Sequence, residues 1–280
     1  MIEVTATYRR SSVRQSVFRP ESFVFPGGEV QVRLEIPTDD LESVTLAADL
    51  RSSDDVMALM LLADALRRQI GTIPIALHLP YVPYGRQDRV CNPGEALAAK
   101  VFCNLINSIG FASVTILDPH SDVVTALLDR VHVIDASVPL ARVVERDEFR
   151  AGVTLLAPDA GGRKRVSALA SKLGLRDVAF AEKVRAPATG AITAVSVPGQ
   201  LPPQPVLVVD DICDGGRTFT ALAAALRGKT DQPLYLYVSH GIFSKGVEVL
   251  LADYRRLFTP CDWTRSGNPA VTVIPLGDLS

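Results

Sequence analysis

What this sequence has little of removes several classes at once. Four cysteines in 280 residues (Cys91, Cys103, Cys213 and Cys261) are too few for a disulfide scaffold and share no metal-like spacing. They read as reduced thiols. No apolar run approaches the length of a membrane span, and the first residues, MIEVTATYRRSSVRQ, lack the apolar stretch of a signal peptide. A cytoplasmic protein with no membrane partner is the expectation. Charge is nearly balanced: 29 Lys and Arg against 31 Asp and Glu leave a net charge of −2, so no bulk basic field argues for nucleic acid. What is present is 48% hydrophobic and 21% charged residues, a globular composition. The length suits about two domains or one large α/β unit.

The chain is organised around VLVVDDICDGGRTFTALAAAL, residues 206–226. Val206 to Val209 form a continuous apolar run, the pattern of a strand buried on both faces. Asp210 and Asp211 end it. A loop follows with Asp214, Gly215, Gly216 and Arg217, and Thr218 then opens an Ala/Leu-rich helix. A Gly-rich turn feeding a helix N-terminus gathers backbone N–H groups and the positive end of the helix dipole, which suits a phosphate. The three carboxylates suit hydroxyls or a metal. A sugar phosphate satisfies both sets; the bland alternative is a buried strand stopped by a polar turn.

The remaining segments repeat that device. Val30, Val32, Leu34 and Ile36 alternate with polar residues after the turn Pro26-Gly27-Gly28, and Phe25 and Glu29 read there as ordinary hairpin residues. Residues 51–70 predict a helix capped by Ser52 or Ser53, with Asp54 and Asp55 in its first turn. IPIALHL (73–79) predicts a buried strand, followed by the polar loop PYVPYGRQDRVCNPGE and a helix from Glu95 to Ile109 closed by Gly110. Arg86 and Gln87 in that loop lie where ligands bind in open parallel sheets, or form a solvated charge cluster. Val114–Leu117 is a short strand ending in Asp118-Pro119-His120-Ser121-Asp122. Asp118 and His120 there can converge on a metal or a proton, or the segment can simply cap the next helix. Val153–Ala157 ends in Pro158-Asp159-Ala160-Gly161-Gly162, with Arg163 to Arg165 leading a helix against its dipole. Lys183 and Arg185, two apart on an extended segment, are either solvated or meet a charge in transit. Strands alternating with helices imply βαβ units and a parallel sheet.

In this order, the segments resemble ribose-phosphate diphosphokinase, the PRPP synthetase family, over roughly residues 25 to 250. PYVPYGRQDR is similar to the family's ATP loop, ILDPH to its Asp-Leu-His strand end, and LLAPDAGGRKRV to its Pro-Asp-Ala-Gly-Gly segment. EKVR is similar to its flexible catalytic loop, VVDDICDGGRTF to its ribose-5-phosphate loop and SHGIFSKG to its Thr-His-Gly strand end. The resemblance implies two tandem type I phosphoribosyltransferase-like domains, each a mostly parallel sheet flanked by helices, over residues 1–138 and 139–280. It implies transfer of the diphosphoryl group of ATP to ribose 5-phosphate, with Mg2+ as cofactor, in a homo-oligomer, dimer or hexamer. Phe25 and Glu29 would flank adenine from a neighbouring subunit, and Arg86, Gln87 and His120 would hold ATP. Asp118, His120 and Asp159 would place the metal and the triphosphate. Lys183, Arg185 and His120 form the implied catalytic set. Asp210 and Asp211 would take the ribose hydroxyls, and Asp214, Gly215, Gly216, Arg217 and Thr218 the 5-phosphate. The chain departs from the family pattern at Pro119, at Val90-Cys91-Asn92-Pro93 and at Gly-Gly-Arg-Thr in the phosphate loop.

Two other functions fit parts of the pattern. A type I phosphoribosyltransferase consuming PRPP would share the acid-rich loop but has no need of the Arg86 loop or the Lys-x-Arg pair. A non-catalytic regulatory homologue would tolerate loss of Lys183 or His120, and both are present.

Overall fold

A computed structural model describes residues 1–10, 14–185 and 192–276, and divides into two compact units, Met1–Ile134 and a second from Asp135 on. The first unit runs β1 (Ile2–Tyr8), β2 (Gln15–Phe18), β3 (Glu21–Val24), β4 (Val30–Arg33), β5 (Leu41–Ala48), α1 (Ser53–Ile70), β6 (Ile75–His78), α2 (Ala98–Ile109), β7 (Ser113–Leu117), α3 (Asp122–Leu127) and β8 (Val131–Ile134). Its sheet has the order β2-β1-β5-β6-β7-β8. β1 pairs antiparallel with β2 and β5, and the pairs from β5 to β8 are all parallel.

Local chemistry sets the element ends. Ser52 caps α1: its side chain accepts from the Asp55 N–H at 3.2 Å while the Asp55 carboxylate accepts from the Ser52 N–H at 2.9 Å, a reciprocal capping box. Leu59, Leu62, Ala63 and Leu66 of that helix are buried against the sheet. α2 begins at Ala98 rather than at the expected Glu95. The Glu95 carboxylate is already engaged by the N–H groups of Cys91 and Asn92, both at 3.0 Å, and by the Asn92 amide, so it closes the loop instead of opening the helix. Gly110 ends α2 in the left-handed conformation, as expected. The alternation from Val30 to Ile36 survives as burial of Val32, Leu34 and Ile36, although the β3–β4 ladder stops at Arg33.

The second unit runs α4 (Ser137–Val144), β9 (Thr154–Ala157), α5 (Arg163–Lys172), β10 (Val178–Phe180), β11 (Glu182–Arg185), β12 (Ile192–Ser196), β13 (Val206–Cys213), α6 (Arg217–Leu226), β14 (Leu234–Gly241), α7 (Glu248–Leu251), β15 (Arg256–Thr259), β16 (Cys261–Asp262) and β17 (Val271–Val273). The main sheet, β10-β9-β13-β14-β15-β17 with β16 on β14, is parallel throughout. β13 is covered on both faces. Val206 and Val208 pack with Phe219, Leu222 and Leu226, while Leu207 and Val209 pack with Leu140, Val166 and Tyr237. The continuous apolar run predicts that double burial. Among the described residues, no helix is long and apolar enough to cross a membrane.

The packing of α1 generates a direct check. Leu62→Ala should cost about 2–5 kcal/mol in urea unfolding, because Leu62 is fully buried. Met57→Ala, on the exposed side of the same helix at 49% exposure, should stay within about 0.5 kcal/mol.

Candidate active site

In the second unit the C-terminal ends of adjacent parallel strands gather polar residues, the place where open α/β sheets take ligands. β13 does not stop at Val209 as the acids suggested. Pairing with β14 continues through Asp210 opposite Val238 and Cys213 opposite Gly241, so both acids belong to the strand. Their burial follows from that. Asp211 is 9% exposed, and Asp210 is half-buried with its Oδ1 accepting the Asp211 N–H at 2.9 Å. Burial, and then the neighbouring Asp211 carboxylate, push the Asp210 carboxyl up to about 7, against the opposing pull of Arg165. Burial also pushes the Cys213 thiol up to about 12, with the charges of Asp210 and Asp214 adding to it.

The loop after β13 is held in shape by its neighbours. Asp214 Oδ1 accepts from Ser244 Oγ at 2.7 Å, and the Asp214 carbonyl accepts the Ser244 N–H at 3.1 Å. Gly216 caps α6 at φ 77°, and a Cβ there would lie 3.1 Å from Leu250 Cδ2, so the position requires glycine on both counts. α6 starts at Arg217, one residue before the expected Thr218, and both residues are exposed. The Phe219 and Thr220 N–H groups both bond the Gly216 carbonyl at 3.0 Å, which leaves the N–H groups of Arg217 and Thr218 as those with no intrahelical acceptor.

Asp159 follows β9, the strand beside β13. Its Oδ1 accepts the N–H groups of Gly161 at 2.9 Å and Gly162 at 3.2 Å, which shapes the turn into α5. Lys183 and Arg185 stand in β11, a strand paired with β12, in keeping with the extended segment read from the sequence. Lys183 lies opposite Val195 and Arg185 opposite Ile192, and the register shifts between Val184 and Arg185.

The first unit places Arg86, Gln87, Asp118 and His120 on one edge of its sheet, in the segments that follow the adjacent strands β6 and β7. Arg86 and Gln87 are exposed, and the loop is fixed by the Gln87 N–H on the Tyr84 carbonyl (2.9 Å) and the Ala99 N–H on the Gln87 carbonyl (3.2 Å). Asp118 is 7% exposed with φ 42°, a left-handed backbone that Asp tolerates better than most residues. His120 is exposed, and Ser121 caps α3 by accepting the Val123 N–H at 3.1 Å. Phe25 and Glu29 close the β3–β4 hairpin through the Phe25 N–H on the Glu29 carbonyl at 2.8 Å, and both are exposed. Among the described residues, no group of three or more His, Cys, Asp or Glu side chains stands close enough to hold a metal ion. Sequence reasoning named neither Ser244 as the clamp on Asp214 nor Arg165 as a cation whose charge acts on Asp210. Both were visible as polar residues at strand or helix ends, but their partners depend on strand order.

A family model described as the N-terminal domain of ribose phosphate pyrophosphokinase matches residues 11–110, and one described as the phosphoribosyl transferase domain matches residues 127–240. A ribose-phosphate pyrophosphokinase of Granulibacter bethesdensis is 32% identical over 203 residues, which are 72% of this chain and 64% of that protein. This chain therefore spans a little under two thirds of that relative's length. One of Hyphomonas neptunium is 29% identical over 230 residues, 81% of this chain and 72% of that protein. The crystal structure of phosphoribosylpyrophosphate synthetase from Mycobacterium smegmatis matches with a TM-score of 0.76 at 22% identity, covering 92% of this chain and 86% of that one, which shows a common fold.

The acid pair yields a pH prediction whose sign follows from the proton count. Between the ordinary carboxylate range and about pH 7, the folded protein keeps a proton on Asp210 that the unfolded chain has released. That contribution to stability is complete at low pH and is lost as pH rises through about 7. Asp210→Asn should therefore raise stability by roughly 1–3 kcal/mol near pH 8 and have little effect near pH 4, read by thermal unfolding at the two pH values.

Proposed function

The chain belongs to the ribose-phosphate pyrophosphokinase family, and on that premise we propose that it transfers the diphosphoryl group of ATP to the 1-hydroxyl of ribose 5-phosphate, giving PRPP and AMP. A bond forms between ribose O1 and Pβ as the bond from Pβ to the oxygen bridging Pα breaks, and the hydroxyl proton leaves. Transfer of this kind is mostly positioning and neutralisation of charge. The observation that carries the reading is the end of β13: two adjacent acids inside a paired strand, then a glycine loop opening onto a helix N-terminus.

Each group has a physical role in that reaction. Asp210 and Asp211 accept hydrogen bonds from the ribose 2- and 3-hydroxyls. Asp214, clamped by Ser244, shapes the loop in which the N–H groups of Gly215, Gly216, Arg217 and Thr218 meet the 5-phosphate. Arg217 adds a cation there. Arg86, Gln87 and His120 hold ATP, the guanidinium by paired N–H donors to phosphate oxygens. Lys183 and Arg185 neutralise charge on the diphosphoryl group in transit, with His120 in the same catalytic set. Phe25 and Glu29 contact the adenine of a neighbouring subunit in a homo-oligomer, dimer or hexamer. The exposed apolar residues Phe23, Val24 and Phe25 on that hairpin support the assignment.

Carboxylate oxygens suit Mg2+, and Asp118, with His120 two residues on, offers them in the first unit as Asp159 does in the second. Bound to such groups, Mg2+ would offset the triphosphate charge.

Incubated with Mg2+, ATP and ribose 5-phosphate, the pure protein should release AMP and PRPP in equal amounts. Turnover seen only with PRPP and a nucleobase would replace this reading with a phosphoribosyltransferase, and inactivity in both assays would leave a non-catalytic homologue. Lys183→Ala should lower kcat by roughly 100-fold or more with KM changed only a few-fold. A fall in affinity alone would make Lys183 a binding residue.

A further inference from the structure

The second unit contains a contact that none of the roles above uses. Arg163, the first residue of α5, reaches nineteen residues along the chain to Glu182, with Nη2 3.1 Å from Oε1. Its guanidinium carbon also lies 4.7 Å from the centroid of the Phe180 ring, so the flat cation stacks on the last residue of β10 while bonding the first residue of β11. Glu182 directly precedes Lys183. On the other side, Arg163 directly follows Gly162, whose N–H is held by Asp159. One side chain thus ties the Asp159 turn to the start of the Lys183 strand. A cavity of about 370 Å³ lies along this tie, lined in part by Arg163, Phe180, Glu182 and Leu201. Side-chain packing therefore leaves the outer side of the contact open.

We propose that Arg163 is a positioning residue: its ion pair with Glu182 and its stack on Phe180 hold the first residues of β11, and so Lys183, in place relative to the Asp159 turn. This rests on the assignment of Lys183 to the transferred group. β12 is anchored by packing on α6, and Ala181 and Val197 at the two ends of the piece are buried, while the tie acts on β11. β10 ends the main sheet, and β11 pairs only with β12 among the described residues, so the two-stranded piece has no ladder joining it to the larger sheet. The Ala181 N–H on the Ala157 carbonyl, at 2.9 Å, is the last backbone bond before β11 begins. Arg163 acts just beyond that bond. Lysine at position 163 would keep the charge but lose the flat face that stacks on Phe180.

The size of the effect is bounded by exposure. Arg163 and Glu182 are 50% and 53% exposed, so the pair is screened by solvent and is worth little to global stability. It acts on the population of the positioned strand, and an exposed ion pair together with a cation–π contact can shift that population by about five- to tenfold.

The test is a double-mutant cycle with two readouts. Arg163→Met and Glu182→Gln should each lower kcat by about five- to tenfold, leave KM for ATP and ribose 5-phosphate within about twofold, and leave the melting temperature nearly unchanged. The double variant should be no slower than the slower single, because both substitutions remove one contact. Independently of activity, trypsin should cleave after Lys183 and Arg185 faster in both single variants than in the parent protein without substrates. Singles with unchanged cleavage, or singles whose effects on kcat multiply in the double variant, overturn the proposal. If the parent protein makes no PRPP, the reading of Lys183 fails, while the cleavage assay still decides whether the tie exists.

Discussion

Two carboxylates side by side in a strand paired along both edges repel each other and lose hydration together. At the end of β13 this arrangement is imposed by the ladder with β14, which carries Asp210 and Asp211 past the point where the apolar run ends. The result is an Asp210 whose carboxyl holds its proton up to about pH 7. Such a site is held against its own electrostatics by a packed sheet, and hydroxyl donors or a cation relieve it.

The surrounding parts are arranged to keep that end of the sheet open and shaped. Gly216 turns the chain into α6 at a positive φ that a side chain would both strain and crowd against Leu250. Ser244, just past the end of the next strand, fixes Asp214 and with it the start of the loop. Asp159 performs the matching task after β9, closing its turn on Gly161 and Gly162. The same design appears twice, with an acid ending a parallel strand and organising the loop before a helix. Local hydrogen bonds, which cost little sequence, do most of the shaping.

Much of this was legible in the sequence, for identifiable reasons. α1 was readable because its cap, its acidic first turn and its apolar stripe agree. The double burial of β13 was readable from four consecutive apolar residues. Its true length was not: Asp210 to Cys213 carry no strand signal, and only pairing with β14 makes them one. Glu95 likewise has good helix propensity, but its carboxylate is spent on Cys91 and Asn92. The pairing of the Lys183 segment with β12 and the reach of Arg163 to Glu182 were hidden because they depend on where β10 delivers the chain. Motif resemblance supplied the roles proposed for Lys183, Arg185 and His120, which neither periodicity nor burial could supply.

The most direct measurement is a crystal structure of the protein with ribose 5-phosphate bound. The phosphate should lie within hydrogen-bond distance of the N–H groups between Gly215 and Thr218, with the sugar 2- and 3-hydroxyls on Asp210 and Asp211. Ribose 5-phosphate bound elsewhere, or bound with its phosphate away from the start of α6, would contradict the central claim.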